Sequence, residues 1–213
     1  MQVSQFDYHL PDEFIAQQPR PRGKSRLLVL ERDSGSVTTD SFANIGAYMP
    51  EGALIVLNDT RVFKARLFAV SEKGREIEVF ALERLSDTDW RVLLKPRRRL
   101  KADSVLTFRD GTTRARIVDY DNNVIRFDRA LQFFDFDRLG EVPLPQYIKR
   151  EVADGDEADY QTVYARNTGS IAAPTAGFHF TPEILDSLTG DHGIEIVRVT
   201  LHIGYATFKP IKS

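Results

Sequence analysis

Residues 65–128 read "ARLFAVSEKGREIEVFALERLSDTDWRVLLKPRRRLKADSVLTFRDGTTRARIVDYDNNVIRFD". Within them six short runs follow one another: "ARLFAV", "EIEVFAL", "WRVLLKP", "SVLTFRD", "TRARIVDY" and "NVIRFD". Turn signals stand between them at Lys73–Gly74, Asp87, Pro96, Asp110–Gly111 and Asp121–Asn122. Alternation of apolar and polar residues sends every second side chain to one face of a strand. Strands repeated at roughly ten-residue spacing predict a small antiparallel barrel or sandwich.

On either side the pattern changes. "LPDEFIAQQP" (10–19) predicts a helix of one or two turns stopped by Pro19. "SRLLVLERDSGSVTTDSF" (25–42) predicts strand, turn and strand, and "ANIGAYMPEG" a brief helix or turn. "ALIVLNDTRV" (53–62) is nearly continuous in apolar residues, as a strand buried on both faces would be. After the barrel-like region, "LQFFDFDRLGEVPLPQYI" leaves through a helix-like piece and a proline-stiffened loop. "TPEILDSLTGDHG" carries Thr181 as N-cap and Pro182 at the first helical position. "IEIVRVTLHIGYATFKPI" (194–211) predicts one long central strand, since both of its faces carry apolar residues. The expected class is α+β, a mixed α/β domain interrupted by an inserted small antiparallel β-barrel. Residues 1–60 and 150–213 form the first domain and 61–149 the insertion.

The chain has 213 residues, 42% hydrophobic and 28% charged, which is ordinary for a globular protein. It contains no cysteine, so disulfides, thiolate nucleophiles and zinc–thiolate sites are excluded. No apolar run approaches the ~20 residues of a membrane span, and the start lacks the order of a secretory signal, so a cytoplasmic protein without membrane contact is expected. Net charge is −2, but it is unevenly spread. "RVLLKPRRRLK" (91–101) and "RPRGKSR" (20–26) are basic and free of acid, while "EVADGDEAD" (151–159) is acidic and free of base. Such basic runs are either solvated turns or phosphate contacts; for the second, Lys95, Arg97, Arg98 and Arg99 are the candidates.

Two of the four histidines, His9 and His192, sit in polar, turn-like surroundings. His179 and His202 instead sit among small or apolar residues near predicted element ends. An imidazole there is either a proton carrier or a buried group bonded to a carbonyl. No acid or further histidine stands at ligand spacing, so no metal is expected. Around His179 the stretch "GSIAAPTAGFHFT" (169–181) is rich in small residues and enters a predicted helix start. Bare backbone there admits a ligand closely, and free amides at the helix start suit an electron-rich group. The alternative is tight packing against a neighbouring strand. Neither a dinucleotide fingerprint nor a phosphate loop is present.

Six stretches now stand in one order: "SRLLVL", "VLNDTRVFKARL", "LPQYIKR", "YQTVYA", "GSIAAPTAGFHFT" and "TLHIGYATFKP". In that order they resemble the S-adenosylmethionine:tRNA ribosyltransferase-isomerases of queuosine biosynthesis, along the whole chain. The resemblance implies an α+β domain interrupted by a small β-barrel. It implies transfer of the ribosyl part of S-adenosylmethionine to a 7-aminomethyl-7-deazaguanine in tRNA, giving epoxyqueuosine with loss of adenine and methionine. S-adenosylmethionine is then a consumed cosubstrate, tRNA the partner, and a monomer the expected state. Carried onto this chain, His179, His202 and Tyr164 are catalytic candidates. Pro174, Thr175, Ala176, Gly177, Asn58, Thr60, Arg61 and Tyr147 are substrate-binding candidates. Tyr205 and Ala206 stand where the family usually shows leucine and a second glycine, and Phe178 where it shows leucine. Family members continue beyond the position of Ser213, so the expectation is a chain lacking the C-terminal portion. It is then either the transferase or a catalytically silent nucleoside- or RNA-binding homologue.

Overall fold

The structure, a computed structural model, describes residues 2–145 and 147–208, with every side chain among them except those of Val3 and Arg99. Gln146 of "LPQYIKR", Lys209 and Pro210 of the last motif, and Ile211 of the predicted last strand lie outside the described residues.

The predicted helix over 10–19 is only a 3-10 turn, Asp12–Phe14. A helix would need the amide of residue 19 on the Ile15 carbonyl, but Pro19 has no N–H. The Gln17 side chain takes that carbonyl instead, at 3.1 Å. Strand β1 (Arg26–Leu30) pairs antiparallel with β2 (Val37–Ser41), as predicted, through a turn that uses Gly35 at φ +70°. A 3-10 helix, Phe42–Tyr48, follows. Then come β3 (Leu54–Asn58) and β4 (Thr60–Val62).

The six alternating runs form β5 (Arg66–Ser71), β6 (Glu76–Arg84), β7 (Asp89–Lys95), β8 (Val105–Phe108), β9 (Arg114–Asp119) and β10 (Val124–Phe127). All their pairings are antiparallel, and β5 bonds both β6 and β8, so the order β5-β6-β7-β10-β9-β8 closes on itself. Closure removes both sheet edges and turns one face of every strand inward. Leu67, Ile77, Val79, Val92, Leu106, Ile117 and Ile125 are each at most 1% exposed. Burying one such side chain stabilises by roughly 1.5–3 kcal/mol, as an upper bound. Phe63, Trp90 and Phe136 extend this core, with the Trp90 and Phe136 rings 4.8 Å apart.

The chain leaves through α1 (Phe136–Leu139) and β11 (Gly140–Glu141), which adds to β5. A Cβ on Gly140 would run into the Lys64 carbonyl, so only glycine fits that crossing. One-turn α2 (Asp156–Asp159), β12 (Asn167–Ser170), α3 (Pro182–Gly190) and β13 (Glu195–Val199) complete the described chain. Strand β12 lies parallel to β4, and β13 parallel to β3. Segments before and after the barrel thus pair with one another, giving the α+β class. Phe42, Ile184, Leu188 and Ile194 form a separate small core there.

Two expectations are corrected. Residues 53–62 are not one strand buried on both faces: Leu54 is 51% and Val56 56% exposed, and Asp59 breaks the run. Among the described residues strand β3 has β13 as its sole partner, and the small core covers the Ala53 and Ile55 side. Likewise, among the described residues, the expected long central strand is only β13, with Val197, Val199 and Leu201 exposed. It ends because side chains take over its backbone bonds. Asn58 Nδ2 donates to the Leu201 carbonyl at 2.9 Å, and the Leu201 amide donates to Asn58 Oδ1 at 3.0 Å.

Candidate functional site

A cleft of about 690 Å³ opens beside the "AAPT" stretch. Ala172, Ala173, Pro174 and Thr175 form one wall, with Tyr147, Tyr160, Ile203 and Phe208 around them. A second hollow of about 300 Å³ shares Pro145, Tyr147 and Tyr160 and runs on to Arg20, Ser25 and Phe178. Tyr160 is buried, and that burial, helped by the nearby Tyr147 phenol, pushes its hydroxyl up to about 12 against the opposing Ala173 amide. It therefore stays an uncharged phenol across the physiological range.

Three staples hold the walls. The Arg22 guanidinium donates to the carbonyls of Ala158, Asp159 and Gln161 at 2.9, 3.0 and 2.6 Å, and to that of Phe178 at 3.1 Å. One residue of the basic run 20–26 is thus an internal strut. Arg150 grips Asp156 with two bonds of 2.6 Å, and that ion pair holds the carboxyl below its usual range. The Gln161 carboxamide spans to β4, donating to the Val62 carbonyl at 2.7 Å and accepting its amide at 3.0 Å.

Pro174, Thr175 and Tyr147, three of the substrate-binding candidates, line the cleft. Ala176 is exposed on the adjoining 3-10 helix Thr175–His179. Gly177 is buried, and a Cβ there would overlap the Tyr164 hydroxyl and lie 2.6 Å from Thr162 Cγ2. Its bareness serves packing against Tyr164, whose own hydroxyl is raised by burial. The α3 start leaves fewer free amides than anticipated. Thr181 Oγ1 accepts the Ile184 amide at 3.2 Å, and Pro182 carries no N–H.

His179 is half-buried, with Nδ1 3.0 Å from Ser25 Oγ and its ring 5.2 Å from that of Phe42. His202 is exposed, immediately before the cleft residue Ile203. Its Nδ1 lies 2.8 Å from Thr60 Oγ1, which in turn lies 2.7 Å from Ser170 Oγ. Thr60 and Ser170 are both 0% exposed, so Thr60 reaches a ligand only through His202. Asn58 has its carboxamide committed to Leu201. Asp59 accepts the Thr200 hydroxyl at 2.6 Å, which keeps its carboxyl low despite burial. Arg61 is exposed on a different hollow, with Lys64, Phe134 and Asp137.

On the barrel, Lys95 and Arg98 are exposed. Arg97 is half-buried, donating to the Tyr120 carbonyl at 2.6 Å with its guanidinium 4.3 Å from the Tyr120 ring centre. The Arg99 side chain lies outside the described residues. Among the described residues, no group of three or more histidines and acids could hold a metal ion. No described helix is long and apolar enough to cross a membrane.

The family profile described as "Queuosine biosynthesis protein" matches residues 3–213. The chain belongs to this family. The S-adenosylmethionine:tRNA ribosyltransferase-isomerase of Carboxydothermus hydrogenoformans is 44% identical over 100% of this chain and 63% of its own length. That of Staphylococcus saprophyticus is 44% identical over 99% of this chain and 63% of its own. The chain therefore spans 63% of the length of these family relatives. A solved structure, an S-adenosylmethionine tRNA ribosyltransferase from Thermotoga maritima, is 31% identical over 94% of this chain and 58% of its own, with a TM-score of 0.38.

Proposed function

We propose that the chain carries the nucleoside-binding and proton-handling part of an S-adenosylmethionine:tRNA ribosyltransferase-isomerase. The reaction moves the ribosyl moiety of S-adenosylmethionine to a 7-aminomethyl-7-deazaguanine in tRNA, with adenine and methionine leaving and epoxyqueuosine formed. The observation that carries this reading is the aromatic cleft walled by the family's own "AAPT" motif.

The site residues have distinct parts in it. Pro174, Thr175 and Tyr147 bound the nucleoside, and Tyr160 stays an uncharged hydrogen-bond donor because its hydroxyl titrates only at about 12. His179 handles protons, where a neutral imidazole is the natural carrier, and His202 presents its ring next to the cleft residue Ile203. Lys95 and Arg98 meet tRNA phosphates, since exposed cations position a backbone without reading sequence. The protein works in the cytoplasm as a monomer on this reading.

The test is chromatographic. Purified protein is mixed with S-adenosylmethionine and a tRNA bearing the deazaguanine, and free adenine is measured against ribosyl incorporated into tRNA. Adenine released in step with incorporation is the expected result. Calorimetric binding of both substrates without adenine would favour the silent nucleoside- or RNA-binding homologue, and no binding of either would refute both.

A further inference from the structure

The geometry points to His202 as a dedicated hydrogen-bond donor, its tautomer fixed by the buried hydroxyls of Ser170 and Thr60. The direction of the chain of bonds follows from where it begins. A backbone amide can only donate, and the Ile203 amide donates to Ser170 Oγ at 2.7 Å. With that lone pair engaged, the Ser170 hydrogen points along its other contact, Thr60 Oγ1 at 2.7 Å. Thr60, having accepted, has its own hydrogen to place. His202 Nδ1 stands at 2.8 Å and the Asn167 carbonyl only at 3.5 Å, so the hydrogen goes to the imidazole. Nδ1 is then an acceptor and the ring proton sits on Nε2.

The surroundings enforce this arrangement. Ser170 and Thr60 are fully buried, so water does not compete for their hydroxyls, and successive bonds in such a chain strengthen one another. A Cβ at Gly169 would lie 2.6 to 2.8 Å from three atoms of the His202 ring, so the imidazole rests on bare backbone. The Asn58 carboxamide grips Leu201, fixing the residue before it. Among the described residues Nε2 has no protein partner, and His202 is open to solvent beside Ile203 of the cleft.

An Nε2–H group meets acceptors, such as a purine ring nitrogen, and does not remove protons. Resting on the transferase reading, this makes His202 a donor to an acceptor atom of the substrate, not the base acting beside the sulfonium. Thr60 and Ser170 are positioning residues.

Nitrogen-15 histidine-labelled protein without any ligand tests this by long-range nitrogen–proton correlation at about pH 8.5, roughly two units above the ordinary imidazole value. His202 is expected as a single tautomer, with a hydrogen-bonded, unprotonated Nδ1 and a protonated Nε2. The exposed His9 in the same sample should show the averaged pattern of a free imidazole. Thr60→Val should shift His202 to the His9 pattern, and Ser170→Ala should move it part of the way. A protonated Nδ1, a wild-type His202 indistinguishable from His9, or a Thr60→Val pattern like wild type would overturn the assignment. If Thr60→Val fails to fold, the wild-type and Ser170→Ala spectra still decide. A fixed tautomer in a protein that binds no S-adenosylmethionine would sink the transferase reading and leave this assignment standing.

Discussion

Gly177→Ala should destabilise the fold because its neighbours have nowhere to go. The added methyl would overlap the Tyr164 hydroxyl, sit 2.6 Å from Thr162 Cγ2 and 3.1 Å from Tyr164 Cζ. Tyr164 is 8% and Thr162 5% exposed, so neither side chain can swing into solvent. Overpacking of this kind costs about 1–3 kcal/mol, and the loss of unfolded-state freedom on Gly→Ala returns about 0.4–1 kcal/mol. The net expectation is a loss of about 1–2 kcal/mol, or about 2–8 °C in Tm for a chain of this size. Urea unfolding of wild type and variant, followed by tryptophan fluorescence, measures it. Tyr164→Phe removes the nearest clashing atom, so in that background the Gly177→Ala penalty should shrink by at least half; Thr162 keeps it from vanishing. A Gly177→Ala variant within about 0.5 kcal/mol of wild type, or an unchanged penalty in Tyr164→Phe, would refute the packing account of this glycine.

Arg97, Arg98, Asp110 and Tyr160 give further expected outcomes. Arg97→Ala should cost about 1–3 kcal/mol by removing the guanidinium from Tyr120, whereas Arg98→Ala should leave stability alone and lower the salt slope of tRNA binding by about 0.7–0.9; binding isotherms at several salt concentrations report the second. For Asp110, burial raises the carboxyl but bonds from Thr113 and Thr112 outweigh it and hold it at about 2. A depressed folded value means its stabilisation is complete above the unfolded value of 3.8 and fades as pH falls toward 2, so Asp110→Asn should flatten urea midpoints over that window. For Tyr160 the sign is opposite: a phenol raised to about 12 binds its proton more tightly when folded, so stability should fall as pH rises above 10, and Tyr160→Phe should remove the last-titrating phenol in ultraviolet absorbance.

The barrel was legible because its information is local. Alternation and turn residues in 65–128 mark each strand, and all six appear within a residue or two of their predicted runs. The α3 start was legible for the same reason, with Thr181 and Pro182 in their expected places. Apolar content misled at β3 and β13, because it cannot tell a strand covered on both faces from one paired in a two-stranded sheet. The site was half legible. His202 stood out by its company, but its anchors Thr60 and Ser170 are separated by 110 positions, and no local pattern joins them. Nor could sequence separate glycines that admit a ligand from those that seat a ring, as Gly169 and Gly177 do. Arg97, a phosphate-contact candidate, and Asn58, a substrate-binding candidate, both bond backbone carbonyls distant in sequence, which no local pattern announces.

On the proposed transferase reading, the cleft beside Pro174 and Thr175 takes S-adenosylmethionine. Titrating S-adenosylmethionine into isotopically labelled protein, with resonances of Tyr147, Tyr160, Thr175, His202 and Ile203 assigned, tests it directly. Saturable shifts concentrated on those residues, with the barrel strands unmoved, are the predicted result. No shifts at millimolar ligand, or shifts centred on another surface, would contradict the account.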